Sequence, residues 1–245
     1  MDFILYLNYT MFKHIHPYPP FIKKDTTKLI VGTLPPPRFT TGQLLEKDVD
    51  FCYGSYYNSL WLYIDKIHSL GLRYDNSQEA IQQRKRFLIQ NKIGVCDIVA
   101  SAEREKIDAS DLGMTNIHLR DLIGYLLKYP NIDTLLFTGG NSKNGPEYFF
   151  RKHIKDYNIS LKLVSKITPK IHQFMLPNAV NTVDNIKADL FSNKKERLIK
   201  TVSLTSGSGA ANIAIGSNPL YKQLKAKDPS FNTFDFRVMQ YSEYF

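Results

Sequence analysis

A chain of 245 residues with 43% hydrophobic and 22% charged residues has the composition of one large globular domain with a real core. Its formal charge of +9 favours a polyanionic partner, nucleic acid ahead of an anionic membrane surface, because the basic residues are spread and form no polybasic anchor. Two cysteines, Cys52 and Cys96, make neither a disulfide framework nor a metal-ligand spacing, and no run reaches the ~18 apolar residues of a membrane span.

The first seven residues lack a basic n-region and a small-residue cleavage site, so no secretory signal is expected. The expected location is the cytoplasm, with no metal and no cofactor. From residue 28 short apolar runs alternate with amphipathic ones, the pattern of βαβ units. Residues 28–33 predict a strand that stops at Gly32-Thr33-Leu34-Pro35-Pro36-Pro37-Arg38, where Gly and Pro turn the backbone out of the sheet. In open α/β sheets that carboxyl edge is where ligands bind. Residues 57–70 predict a helix with Leu60, Trp61, Ile64 and Ile67 at helical spacing, and 78–91 a second with Arg84, Lys85 and Arg86 on one face.

A strand is predicted over 93–100, a helix over 117–128, a strand over 132–138 ending at Gly139-Gly140, a helix over 145–157 and a strand over 159–165. Residues 167–196 have no sustained period and read as an irregular excursion. A strand over 198–204 leads to Thr205-Ser206-Gly207-Ser208-Gly209, followed by a helix over 219–226 and an aromatic tail that packs back. No internal repeat appears. The sum is one domain over 1–245, a three-layer α/β/α sandwich with a mostly parallel central sheet.

Small residues at Gly32-Thr33, Gly139-Gly140 and residues 206–209 all fall at the binding edge, where backbone N–H groups can approach a ligand closely. Neither a Gly-Lys-Ser/Thr phosphate loop nor a glycine-rich dinucleotide fingerprint is present, which disfavours nucleotide hydrolysis and nicotinamide binding.

A strand ending in Gly-x-x-Pro, then aromatic-Gly-x-x-x-Asn-x-x-Trp from Tyr53 to Trp61, resembles the uracil-DNA glycosylase superfamily. Within it, the chain is most similar to the branch that includes hypoxanthine-DNA (deoxyinosine) glycosylases. Residues 94–104, Asp108-Ala109-Ser110 and the late Leu204-Thr205-Ser206-Gly207-Ser208-Gly209-Ala210-Ala211-Asn212 add to the likeness. It covers about 28–140 and 198–225. The N-terminal segment, an irregular insertion around 160–196 and the aromatic tail lie outside it.

The resemblance implies a glycosylase that flips a uracil or hypoxanthine out of duplex DNA and hydrolyses its N-glycosidic bond in base-excision repair, without metal or cofactor. It assigns catalysis to Asn58, and base binding to Gly32, Thr33, Leu34, Tyr53 and Thr138, with Tyr53 as the stacking ring. Ser55, Ser206, Gly207 and Ser208 would grip DNA phosphates. Two positions depart from the pattern: Leu34 stands where relatives carry a catalytic Asp or Asn, and Thr138 where many carry a base-reading Asn. A relative that binds DNA but has lost catalysis is therefore the alternative. Plainer roles also stand beside these. Asn58 can brace its helix, Trp61 is expected in the core, Asp97 is expected to be paired within its apolar strand, and the six histidines show no ligand spacing.

Overall fold

The computed structural model describes residues 11–176, 196–209 and 211–245. Its main sheet has six strands in the order β3-β2-β6-β9-β8-β7. Here β2 is Lys28–Val31, β3 Ile93–Val95, β6 Thr134–Phe137, β7 Lys162–Ser165, β8 Lys170–Leu176 and β9 Arg197–Ser203. The first four run parallel, and β8 and β7 extend the sheet antiparallel. A separate antiparallel sheet pairs β4 (Val99–Arg104) with β1 (Phe12–Ile15) and β5 (Thr115–Leu119).

Alternation along the parallel strands divides the core into two. Leu29, Val31, Leu135 and Phe137 face one layer, where α4 (Leu122–Lys128) and α5 (Pro146–His153) bury Ile123, Leu126, Phe149 and Phe150. Ile30, Leu136 and Val202 face the other, packed by α2 (Leu60–His68), α3 (Gln78–Gln90) and α8 (Thr233–Tyr241) through Trp61, Ile64, Phe87 and Tyr241. Each such buried side chain contributes roughly 1.5–3 kcal/mol. The result is an α/β fold with a mixed sheet flanked by helices, as its sequence pattern predicts. The short helices α1 (Pro37–Thr41), α6 (Ala211–Ser217) and α7 (Pro219–Lys227) complete it.

Three expected elements differ. The strand over 93–100 is broken: β3 ends at Val95, and the chain turns at Asp97 into β4 of the small sheet. The corner is fixed by hydrogen bonds on both sides, Cys96 N–H to Ile30 O at 2.9 Å and Ile98 N–H to Gly32 O at 2.9 Å. The helix over 117–128 begins only at Leu122, because Asp121 caps it by accepting from Gly124 N–H at 2.8 Å, while 115–119 pairs with β4. Part of the supposedly irregular stretch is β8, whose His172, Phe174 and Leu176 alternate inward against β9. Residues 177–195 lie outside the described residues. The aromatic tail is helix α8, started by a capping box between Asn232 and Asp235. Among the described residues no helix is long and apolar enough to cross a membrane.

Candidate active site

The chain leaves β2 toward β3 on one side and returns as β6 on the other, so the sheet's order reverses beside β2. A crevice forms at the carboxyl ends of strands around such a reversal. Here it is a cleft of about 740 Å³ lined by Thr33 and Leu34 after β2, Thr138 after β6, and Leu204 and residues 205–208 after β9. Tyr53, Ser55 and Asn58 also line it. The structure thus brings together nine of the ten residues that the motifs single out. The tenth, Gly32, lies buried directly beneath.

Gly32 is required by its neighbours. A Cβ there would fall 2.3 Å from Tyr53 Oη and 2.8 Å from Asp97 Oδ1. Its N–H donates to Asp97 Oδ1 at 2.8 Å, and the Tyr53 hydroxyl donates to the same oxygen at 2.6 Å. His16 Nε2 donates to Oδ2 at 2.9 Å, while its Nδ1 accepts Tyr18 N–H. Asp97 is therefore a buried carboxylate with three donors, as its place among apolar residues demands. Burial and the adjacent Asp97 charge hold the Tyr53 phenol neutral, far above its ordinary range. Tyr53 itself has φ +58, set by a tight turn in which Val49 N–H donates to Gly54 O at 2.8 Å.

Asn58 is half-buried, and its Oδ1 accepts from Leu60 N–H at 3.2 Å, which braces the first turn of α2. A Cβ on Gly207 would lie 3.5 Å from that same Oδ1, so the two motifs approach closely. Ser55 is buried, and its hydroxyl accepts from Arg38 Nη2 at 2.7 Å. Arg38 in turn holds Asp48 through Nε at 2.6 Å and Nη2 at 3.0 Å. Burial opposes charge on Asp48, but Arg38 and the Leu45 and Tyr56 N–H groups overcome it and keep the carboxyl below its ordinary range. The Ser206 and Ser208 hydroxyls lie 3.1 Å apart, with Ser208 exposed.

Charged residues beyond the ten predicted site residues also shape the cleft. Arg237 on α8 is buried and clamps the last loop from below, donating to Ser206 O at 2.8 Å, Ser208 O at 3.0 Å and Asn212 Oδ1 at 2.9 Å. Glu147 on α5 lines the cleft and is held by Ser203 Oγ at 2.6 Å and Arg151 Nε at 2.8 Å. Asp97 and Asp111 line it as well, Asp111 accepting from Thr33 Oγ1 at 2.9 Å. Burial pushes Asp111 up to about 6, against the pull of Thr33 and Arg104. Only Asp97 among these carries a local signal, a carboxylate inside an apolar run. The others reach the cleft through pairings between distant segments. Among the described residues no group of three or more His, Cys, Asp or Glu side chains is arranged to hold a metal ion.

No protein-family model matches the chain, and no curated protein matches it. Among solved structures it is similar to an NMR structure from Methanosarcina acetivorans, provisionally described as a uracil DNA glycosylase. The TM-score is 0.47 at 17% identity, over 92% of this chain and 98% of that one.

Proposed function

We propose that this protein is a monofunctional DNA glycosylase that hydrolyses the N-glycosidic bond of a deaminated base, uracil or hypoxanthine, in duplex DNA. The observation that carries this reading is convergence. Motif segments around residues 33, 53–58 and 205–208, distant in sequence, line one cleft at the carboxyl edge of the parallel strands. A flipped base needs an aromatic wall, polar groups at its edge and a grip on the flanking phosphates. Tyr53 is read as the wall, Thr138 as an edge contact, and the exposed hydroxyl of Ser208 as a phosphate contact.

Breaking the bond leaves the sugar with oxocarbenium character and the base with negative charge; water then adds at C1′. Asn58 is an amide and a poor base, so its role is to orient the water or the base edge. With Oδ1 engaged by Leu60 N–H, its Nδ2 group is the donor on offer.

The second reading is a DNA-binding protein without catalysis. Two observations favour it: Leu34 presents only hydrocarbon to the cleft, and the Gly32 N–H is committed to Asp97. Duplex oligonucleotides containing uracil, hypoxanthine or xanthine, treated with alkali after incubation, separate the two. Strand breaks that vanish in Asn58→Ala support the glycosylase. Salt-sensitive duplex binding without breaks on any substrate supports the binding protein. Absence of duplex binding at low salt overturns both.

A further inference from the structure

A carboxylate reaches the loop after β2 from the turn that follows the Asp108-Ala109-Ser110 segment. Asp111 opens the 3-10 turn Asp111–Gly113 between β4 and β5 and lines the cleft. Its Oδ1 accepts the Thr33 hydroxyl at 2.9 Å, and Thr33 directly precedes Leu34, where the family resemblance calls for an Asp or Asn. The turn is pinned separately: Asn144 Nδ2 donates to Asp111 O at 2.9 Å, and Met114 N–H donates to that carbonyl at 3.2 Å. The side chain is therefore held at its backbone and at one oxygen. Thr33 is the one hydrogen-bonding partner of that carboxylate among the described residues, so the second oxygen is available to the contents of the cleft.

We propose that Asp111 is the general base of this cleft, taking a proton from the water that attacks C1′ in place of the side chain that Leu34 does not supply. The inference rests on the glycosylase reading. In the step, the C1′–N bond breaks and its electron pair leaves with the base. The water oxygen bonds to C1′, one water proton passes to the Asp111 carboxylate, and the departing base anion takes a proton from protonated Asp111 or from solvent. A carboxylate in a partly buried site also stabilises the positive charge that develops on the sugar.

The surroundings suit that role. Burial raises Asp111 to about 6; the Thr33 hydrogen bond and the Arg104 charge lower it, and the Asp97 charge raises it. Arg104 on β4 is shared with Asp108 at 3.8 Å and with His14 Nδ1 at 2.8 Å, so its charge is not given to Asp111 alone. A base of this strength is ionised near neutral pH and still able to take a proton.

A tether between two loops is the competing role, and Asp111→Asn distinguishes it, because the amide oxygen still accepts from Thr33. In the full chain, single-turnover excision of whichever base the wild type removes is expected to slow about 10²- to 10⁴-fold. KM should stay close to wild type, and the melting temperature should not fall at neutral pH. The wild-type rate should climb with pH to half its maximum near about 6, and the variant should lack that limb. A variant rate within about threefold of wild type, or a loss seen only in KM or melting, overturns the proposal. If Asp111→Asn does not fold, the wild-type profile decides: no acid limb near pH 6 overturns it. A wild type that excises no base sinks the glycosylase reading and this inference together, whereas an active Asp111→Asn sinks this inference alone.

Discussion

The Tyr53 hydroxyl and the Gly32 N–H share one oxygen of Asp97, at 2.6 and 2.8 Å. The end of β2, the aromatic ring that opens the Tyr53–Trp61 segment and the corner between β3 and β4 are thereby joined at a single buried atom. His16, in the segment after β1, holds the other oxygen at 2.9 Å. At the floor of the cleft three separate stretches of chain thus converge on that carboxylate.

Gly32→Ala tests that agreement. The added methyl would sit 2.3 Å from Tyr53 Oη, 2.8 Å from Asp97 Oδ1 and 3.1 Å from Thr138 Oγ1, so the tyrosine must move or the strand must shift. Overpacking of this kind costs about 1–3 kcal/mol. Urea unfolding should show that loss, and excision should fall with it because the proposed stacking ring is displaced. A Gly32→Ala variant of wild-type stability would mean that the Tyr53–Asp97 contact is loose.

Tyr53 can be divided into ring and hydroxyl. Tyr53→Phe keeps the ring and leaves Asp97 with the Gly32 and His16 donors, for a loss of about 1.5–3 kcal/mol in stability, the range of a hydrogen bond to a charged group. Excision by this variant should fall far less than in a variant without the ring, since the proposed stacking surface is kept. Tyr53→Ala removes the proposed wall as well, and loss of base stacking there would add about 1–3 kcal/mol in binding. Equal damage from both substitutions would show that the ring does not stack on the base.

Arg237 predicts a change that is local to the last loop. Its guanidinium holds the carbonyls of Ser206 and Ser208 and is itself buried. Arg237→Gln cannot span all of these acceptors, and leaving them unpaired costs about 1–3 kcal/mol. Amide exchange should quicken at Gly207 and Ser208 and stay slow in β2 and β6. Affinity for duplex DNA should weaken with the same salt slope as wild type, because Arg237 points away from solvent and neutralises no phosphate. A reduced slope would place Arg237 on the DNA instead.

Some of this architecture was legible in the chain and some was not, for identifiable reasons. The parallel strands β2 and β6 are buried on both faces after their first residues, so they read as apolar runs leading to Gly32 and Gly139. The same continuity concealed the break after Val95: Ile98 and Val99 are as buried as the strand before them, and only Asp97 marks the corner. In β8 the alternation is carried partly by His172, which an apolar count passes over. The C-terminal tail reads only as an aromatic segment that packs back, and nothing local says that it forms α8 or that Arg237 will turn toward residues 206–208. Asp111 and Glu147 are ordinary charged residues until the fold brings Thr33 and Ser203 against them. Motif residues were legible because their types are demanding; their supports were not, because support is a property of distant pairings.

The last prediction concerns pH and sets two residues against each other. Burial and the neighbouring Arg104, with a smaller push from His16, lower His14 from 6.5 to about 4, while burial raises Asp111 from 3.8 to about 6. Arg104 Nε donates to His14 Nδ1 at 2.8 Å, which requires that nitrogen to be unprotonated. Between about pH 4 and 6.5 the unfolded chain binds more protons at His14 than the folded one, so this histidine makes stability fall as the solution is acidified. Over about pH 4 to 6 the folded state holds more protons at Asp111, so that carboxyl makes stability rise on acidification. The two contributions, each on the order of 2–3 kcal/mol by their shifts, nearly cancel in the wild type. Asp111→Asn removes one side of the balance. Its stability relative to wild type should drop by that order between pH 6.5 and 4, and His14→Gln should drift the opposite way. Urea unfolding of the three proteins at several pH values in this window measures both slopes. Parallel curves for wild type and Asp111→Asn would show that Asp111 titrates in the folded protein as it does in the unfolded chain.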